Sequence, residues 1–183
     1  QTMYDPTSIL TQLLETAPAR LETVPQGQGI YALYDHEGHA RYIGITAKCL
    51  TDRILKRHVG GDNNSHKFST VYNAGRMFHA RKAAASCPRD GKIAKELRRL
   101  FVREHCRAVA IALPGLSRAE LLSLEANVLA AAPADAKRWN DARVLSAAEP
   151  IDQLNAFLAT IEWPPEKHLA VNRQAERWQS LAR

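Results

Sequence analysis

Residues 29–46 constrain this chain more than any other stretch, because two strand-like runs there flank a turn. Gly29-Ile30-Tyr31-Ala32-Leu33-Tyr34 comes first, and Ala40-Arg41-Tyr42-Ile43-Gly44-Ile45-Thr46 comes second. Aromatic and β-branched residues in partial alternation suit a pleated, half-buried surface. Asp35-His36-Glu37-Gly38-His39 between them reads as the turn. A hairpin of this kind sets Tyr31 and Tyr42 side by side, next to Gly44, whose missing side chain leaves room for a ligand.

Around the hairpin the apolar spacing is helical. Ile9, Leu10, Leu13 and Leu14 predict a short helix over 8–16. Leu50, Ile54, Leu55, His58 and Val59 predict another over 50–59, stopped by Gly60-Gly61. Residues 61–76, rich in Gly, Asn and Ser, read as a loop. Ile93, Leu97, Leu100 and Phe101 line a helix over 90–104, and 107–113 reads as a buried strand ended by Pro114-Gly115. Ser117-Arg118-Ala119-Glu120 is a capping box that opens a helix with Leu121, Leu124, Val128 and Leu129 inward. Ser146-Ala147-Ala148-Glu149 repeats that pattern before Ile151, Leu154, Phe157 and Leu158, and a last helix carries Val171, Ala175, Trp178 and Leu181. A hairpin, a helix and a further strand, with helices after, predict an α+β layer architecture.

The 183 residues hold no apolar run near the roughly 18 residues a membrane span requires. The first residues show no basic-then-apolar leader pattern. Cys49, Cys87 and Cys106 are odd in number and scattered, which argues against a disulfide framework and a zinc knuckle and for a reducing cytoplasm. Net charge is +6, unevenly spread: residues 41–107 hold 16 Lys and Arg against 5 Asp and Glu. Basic charge concentrated after the second tyrosine points to a polyanionic partner, nucleic acid above all.

Gly29-Ile30-Tyr31 and Tyr42-Ile43-Gly44 at hairpin spacing resemble the GIY-YIG nuclease superfamily. Three further residues follow in that family's order: Arg53 on the next helix, Glu125 in Leu124-Glu125-Ala126-Asn127, and Asn140 after a proline-containing break. The resemblance covers about residues 27–141 and implies a small three-stranded antiparallel sheet flanked by helices. It divides the chain into a lead-in at 1–26, a nuclease core at 27–144 and a helical extension at 145–183.

The implied activity is divalent-metal-dependent endonuclease cleavage of DNA. Cleaving a phosphodiester needs an activated water, charge neutralisation at the phosphoryl oxygens and help for the leaving oxygen. Glu125 would hold one Mg²⁺ or Mn²⁺, since Mg²⁺ takes one or two carboxylates and keeps several waters. Arg53 would hold the scissile phosphate. Tyr31 would serve as general base or water-orienting group and Tyr42 would position the water or a phosphate oxygen. A free phenol, with a pKa of about 10, needs a neighbour that eases proton loss. The family carries a polar residue four positions after the arginine; here that is Arg57, and His58 is one further, so either is the fourth member. Asn140 would hydrogen-bond within the site or pin the chain near Glu125. Gly44, Lys48, Arg57 and Lys67 are candidate nucleic-acid contacts.

Two other readings stand beside this one. The first is a nucleic-acid-binding module that keeps the fold without cleaving. The second is a nuclease toxin or RNA-cleaving enzyme, since DNA and RNA hydrolysis need the same charges. DNA is the favoured partner, and both monomer and homodimer fit.

Overall fold

Asp35 closes the hairpin. Its carboxylate accepts the backbone N–H groups of Glu37 and His39, each at 2.9 Å, and the Arg41 Nε at 2.9 Å. Gly38, at φ 85°, takes the left-handed position the turn requires. The strands so joined are β2 (Gly29–Tyr34) and β3 (Ala40–Thr46), with Tyr31 opposite Gly44 and Leu33 opposite Tyr42. The structure is a computed structural model that describes residues 4–60, 67–80, 87–141, 143 and 147–181, without the Lys67 side chain.

β4 (Arg107–Ala112) pairs antiparallel with the other side of β2, and β1 (Ala19–Arg20) pairs antiparallel with β4. The strand order is β1-β4-β2-β3. β2 and β4 approach so closely at Gly29 that a Cβ there would collide with the Ile111 carbonyl oxygen. The sheet thus has four strands where three were expected. The extra strand, two residues long between Pro18 and Pro25, is too short for alternation to mark it in sequence. It forms because β4 offers an edge to pair with.

Side chains alternate across a strand, so the sheet has two distinct faces. Ile30, Ala32, Tyr34, Ile43 and Val109 share one face and pack against Ile9 and Leu13 of α1 (Pro6–Glu15) and Leu121, Leu124 and Val128 of α4 (Arg118–Ala131). Each Ile, Leu or Val side chain among them taken fully from water contributes roughly 1.5–3 kcal/mol. Local chemistry fixes where the helices begin. Asp5 accepts the Ser8 N–H at 2.9 Å ahead of Pro6, and Ser117 and Glu120 complete the expected capping box at 3.2 and 2.7 Å. The Tyr34 hydroxyl donates to the Leu13 carbonyl at 2.6 Å, tying α1 to the sheet. Tyr31, Leu33, Tyr42 and Gly44 share the opposite face.

The chain divides into two compact units, Gln1–Phe68 with Arg103–Val144, and Ser69–Val102 with Leu145–Arg183. The single helical turn α2 (Lys67–Thr70) and the long helix α3 (Pro88–His105) run across the division in sequence. The second unit has its own core, where Phe101 meets Tyr72 at a tilt and Phe157 edge-on, with ring centroids 5.9 and 6.1 Å apart. Leu154 and Leu158 of α5 (Ile151–Thr160) and Val171 of α6 (Pro165–Leu181) are buried as well. Asp90, buried near the start of α3, accepts two bonds from Arg173 at 2.8 Å and one from Arg177 at 2.7 Å. Those arginines, Arg173 first, hold its carboxyl well below the usual range against the opposing effect of burial. α5 starts at Ile151, and Glu149 binds Arg76 at 2.8 Å instead of capping it. Ser146, the other half of that expected capping box, lies outside the described residues.

All three cysteines are free thiols. Among the described residues no helix is long and apolar enough to cross a membrane.

Candidate functional site

The first unit gathers Tyr31, Tyr42, Arg53, His58 and Glu125 around the β2–β3 pair. Tyr31 is fully buried, with 0% of its surface exposed, and Tyr42 is partly exposed. Their rings stack with centroids 6.3 Å apart. Gly44 is what allows this. A Cβ there would lie 2.8 Å from the Tyr31 hydroxyl oxygen and 2.8 Å from Tyr42 Cε1. The two phenols therefore fill the space above the glycine.

The element after β3 is a π-helix, Asp52–Val59. A π-helix closes its bonds from i to i+5, so its turn is one residue longer than that of an α-helix. In an α-helix, residues five apart sit about 140° apart around the axis. In the longer turn they return to the same side. Arg53 and His58 are five apart, and both meet the same atom: His58 Nε2 is 2.7 Å from the Tyr31 hydroxyl oxygen, and Arg53 Nε donates to it at 3.4 Å. The extra residue in the turn brings His58 in, and Arg57 is exposed.

His58 is itself almost wholly buried, at 1% exposure. Its ring stands edge-on to Tyr42 at 4.8 Å and to Phe68 at 6.4 Å, and Phe68 packs on Trp139 at 5.2 Å. Phe68 thus walls the histidine, and Trp139 backs Phe68. Sequence reading missed both, because Phe68 lies in a stretch with no apolar period and Trp139 in a short 3₁₀ turn, Ala134–Asn140.

Asn140 ends that turn and treats β3 as a strand would. Its Oδ1 accepts the Ile43 N–H at 3.0 Å and its Nδ2 donates to the Ile43 carbonyl at 2.7 Å. These peptide groups point away from β2, as do those of Ile45 two residues on. The Ile45 N–H favours the ionised form of Glu125. One amide and one carboxylate therefore meet the outer edge of β3 at successive outward positions.

Burial governs the electrostatics. It pushes the Tyr31 phenol well above its ordinary range; the neighbouring Tyr42 adds to the rise and Arg53 opposes it. Burial likewise raises Tyr42 against Arg53, with Glu125 adding to the rise. Burial works against the Arg53 charge, but the phenols of Tyr31 and Tyr42 outweigh it and raise its pKa. Glu125, half-buried on α4, is raised by burial, and Arg53 and the Ile45 N–H only partly offset this.

Among the described residues no group of three or more His, Cys, Asp or Glu is gathered for a metal. The donor set fits a hard cation held by one carboxylate and its own waters, with Glu125 as that carboxylate. A desolvated carboxylate also gains more from a cation than a solvated one does. Lys48 and Arg57 are exposed and form no hydrogen bond to this cluster among the described residues. Lys67 has no described side chain.

Comparison with protein-family models, with curated proteins and with solved structures found no match.

Proposed function

We propose that this chain is a divalent-metal-dependent endonuclease of the GIY-YIG type that hydrolyses DNA phosphodiester bonds. The observation that carries the reading is the meeting of Arg53 Nε and His58 Nε2 on the Tyr31 hydroxyl, at 3.4 and 2.7 Å, beside Tyr42.

In this reading Arg53 neutralises the charge that grows on the scissile phosphate. Tyr42, the phenol with solvent exposure, positions the attacking water or a phosphate oxygen. Tyr31 accepts the water's proton at its oxygen while passing its own proton to His58 Nε2. The transfer is coupled, so no standing phenolate forms, which the raised pKa of Tyr31 would make costly. It requires the proton of the resting imidazole to sit on Nδ1. Glu125 would hold Mg²⁺ or Mn²⁺, and a bound cation supplies charge stabilisation at the phosphoryl and leaving oxygens. Asn140 keeps β3, and with it Tyr42 and Gly44, in place.

The test is side-by-side digestion of duplex DNA, single-stranded DNA and RNA in Mg²⁺, Mn²⁺ and EDTA. Cleavage of duplex DNA with either metal and none in EDTA is expected. Cleavage of RNA alone would overturn the substrate, and no cleavage of any substrate would overturn the activity.

A second reading, a non-cleaving nucleic-acid-binding module, has one observation in its favour. The Tyr31 hydroxyl is fully buried and already bonded to His58, as a packed core tyrosine would be. The same digestion separates the two.

A further inference from the structure

The helix α3 presents two unlike faces. Ala94, Leu97, Arg98 and Phe101 are buried on one side. Arg98, at 1% exposure, donates to the Asn73 Oδ1 at 3.0 Å and belongs to the interior. Arg89, Lys92 and Arg99 are exposed. At about 100° per residue they fall within a stripe about 80° wide on the other side, with Lys95 at its border.

Acid does not balance this stripe. Asp90 is on the buried side and is held by Arg173 and Arg177. Glu96 lies among the basic residues, but Lys167 sits 3.2 Å from both of its oxygens. Among the described residues none forms an ion pair with Arg89, Lys92 or Arg99. The face therefore keeps a net positive charge over the eleven residues 89–99, about 15 Å at the α-helical rise. Duplex DNA carries about one charge per 1.7 Å of its axis, so a stretch of that length offers roughly nine phosphate charges.

We infer that the exposed face of α3 is a DNA-docking surface in which Arg89, Lys92 and Arg99 track the phosphate backbone of duplex DNA. The inference rests on the reading of this chain as a DNA enzyme, and it adds a contact made by residues outside the tyrosine cluster. Phosphate contacts of this kind position a duplex and carry no sequence information.

The experiment is fluorescence anisotropy with a labelled short duplex in EDTA, across a salt series. The Lys92→Gln/Arg99→Gln variant is compared with Arg118→Gln/Arg143→Gln, which removes the same charge from other exposed positions. Neutralising two phosphate contacts should lower the slope of log affinity against log salt by about 2, while the control keeps the wild-type slope. Equal losses in both variants would mean that net charge alone acts, and would overturn the inference. So would equally tight binding of duplex RNA with the same loss in the α3 variant. Circular dichroism of each variant confirms that it folds. Binding in EDTA is independent of cleavage, so the two readings fail separately. A wild type that does not cut in Mg²⁺ sinks the enzyme assignment, whereas unchanged binding by the α3 variant of an enzyme that does cut sinks the docking surface.

Discussion

The Tyr31 hydroxyl lies 2.7 Å from His58 Nε2, and the contact joins a central strand to the far end of a π-helix. The same hydroxyl accepts from Arg53 at the near end of that helix. One phenol is thus gripped by two residues five apart, a spacing that α-helical geometry would place on different sides.

His58→Gln keeps a hydrogen-bonding side chain beside Tyr31 but cannot take up a proton. General acid–base contributions run about 10²–10⁴-fold, so turnover should fall by about that factor. Arg57→Ala, on the exposed side, should raise KM and preserve kcat. Steady-state nicking kinetics of the two variants check this, and a larger kcat loss in Arg57→Ala would assign the role to Arg57.

Gly44→Ala should damage both fold and activity. Its Cβ would crowd the Tyr31 oxygen and the Tyr42 ring, and Tyr31 has His58 and Arg53 bonded to it. Overpacking of this kind costs about 1–3 kcal/mol. Urea unfolding should read that loss, and kcat should fall with it. Wild-type activity in this variant would mean that the stacked phenols are not needed.

Glu125 sets an opposition between function and stability. Burial raises its pKa, so the folded state binds its proton more tightly than the unfolded chain does. Stability is then lost as pH rises above the ordinary carboxylate range. Glu125→Gln should be more stable than wild type at about pH 7, and the difference should vanish in acid, where both side chains are neutral. Urea titrations at the two pH values check the sign.

Much of this arrangement was legible in the sequence, in proportion to how local its causes are. The hairpin announced itself through its two runs and the turn at Asp35-Gly38, and α4 through its capping box. The segment 145–183 read as helical, but nothing signalled that it shares a unit with 69–102, because that partnership rests on contacts distant in sequence. The π-helix was legible only as a slip: His58 falls five residues after Arg53 instead of four. Periodicity cannot resolve one extra residue in a two-turn element, whereas the packing of His58 against Tyr31 can. Asn140 was named, but its act, pairing with Ile43 across 97 residues, belongs to the tertiary structure.

Asn140→Ala should destabilise the first unit by about 2–3 kcal/mol, since it strips two hydrogen bonds and leaves the Ile43 N–H and C=O unmet. Asn140→Asp should be nearly as costly, because a carboxylate cannot donate to the Ile43 carbonyl. Thermal unfolding should shift down by roughly 4–12 °C for a chain of this size. An unchanged midpoint would mean that the edge of β3 needs no cap.

The central claim is that one carboxylate, Glu125, brings the cation to the Tyr31–Arg53–His58 cluster. Plasmid nicking by Glu125→Ala in Mg²⁺, beside wild type, tests it most directly, with duplex binding of both proteins measured in EDTA. The account predicts that nicking is abolished while binding persists. Full nicking by the variant would contradict it.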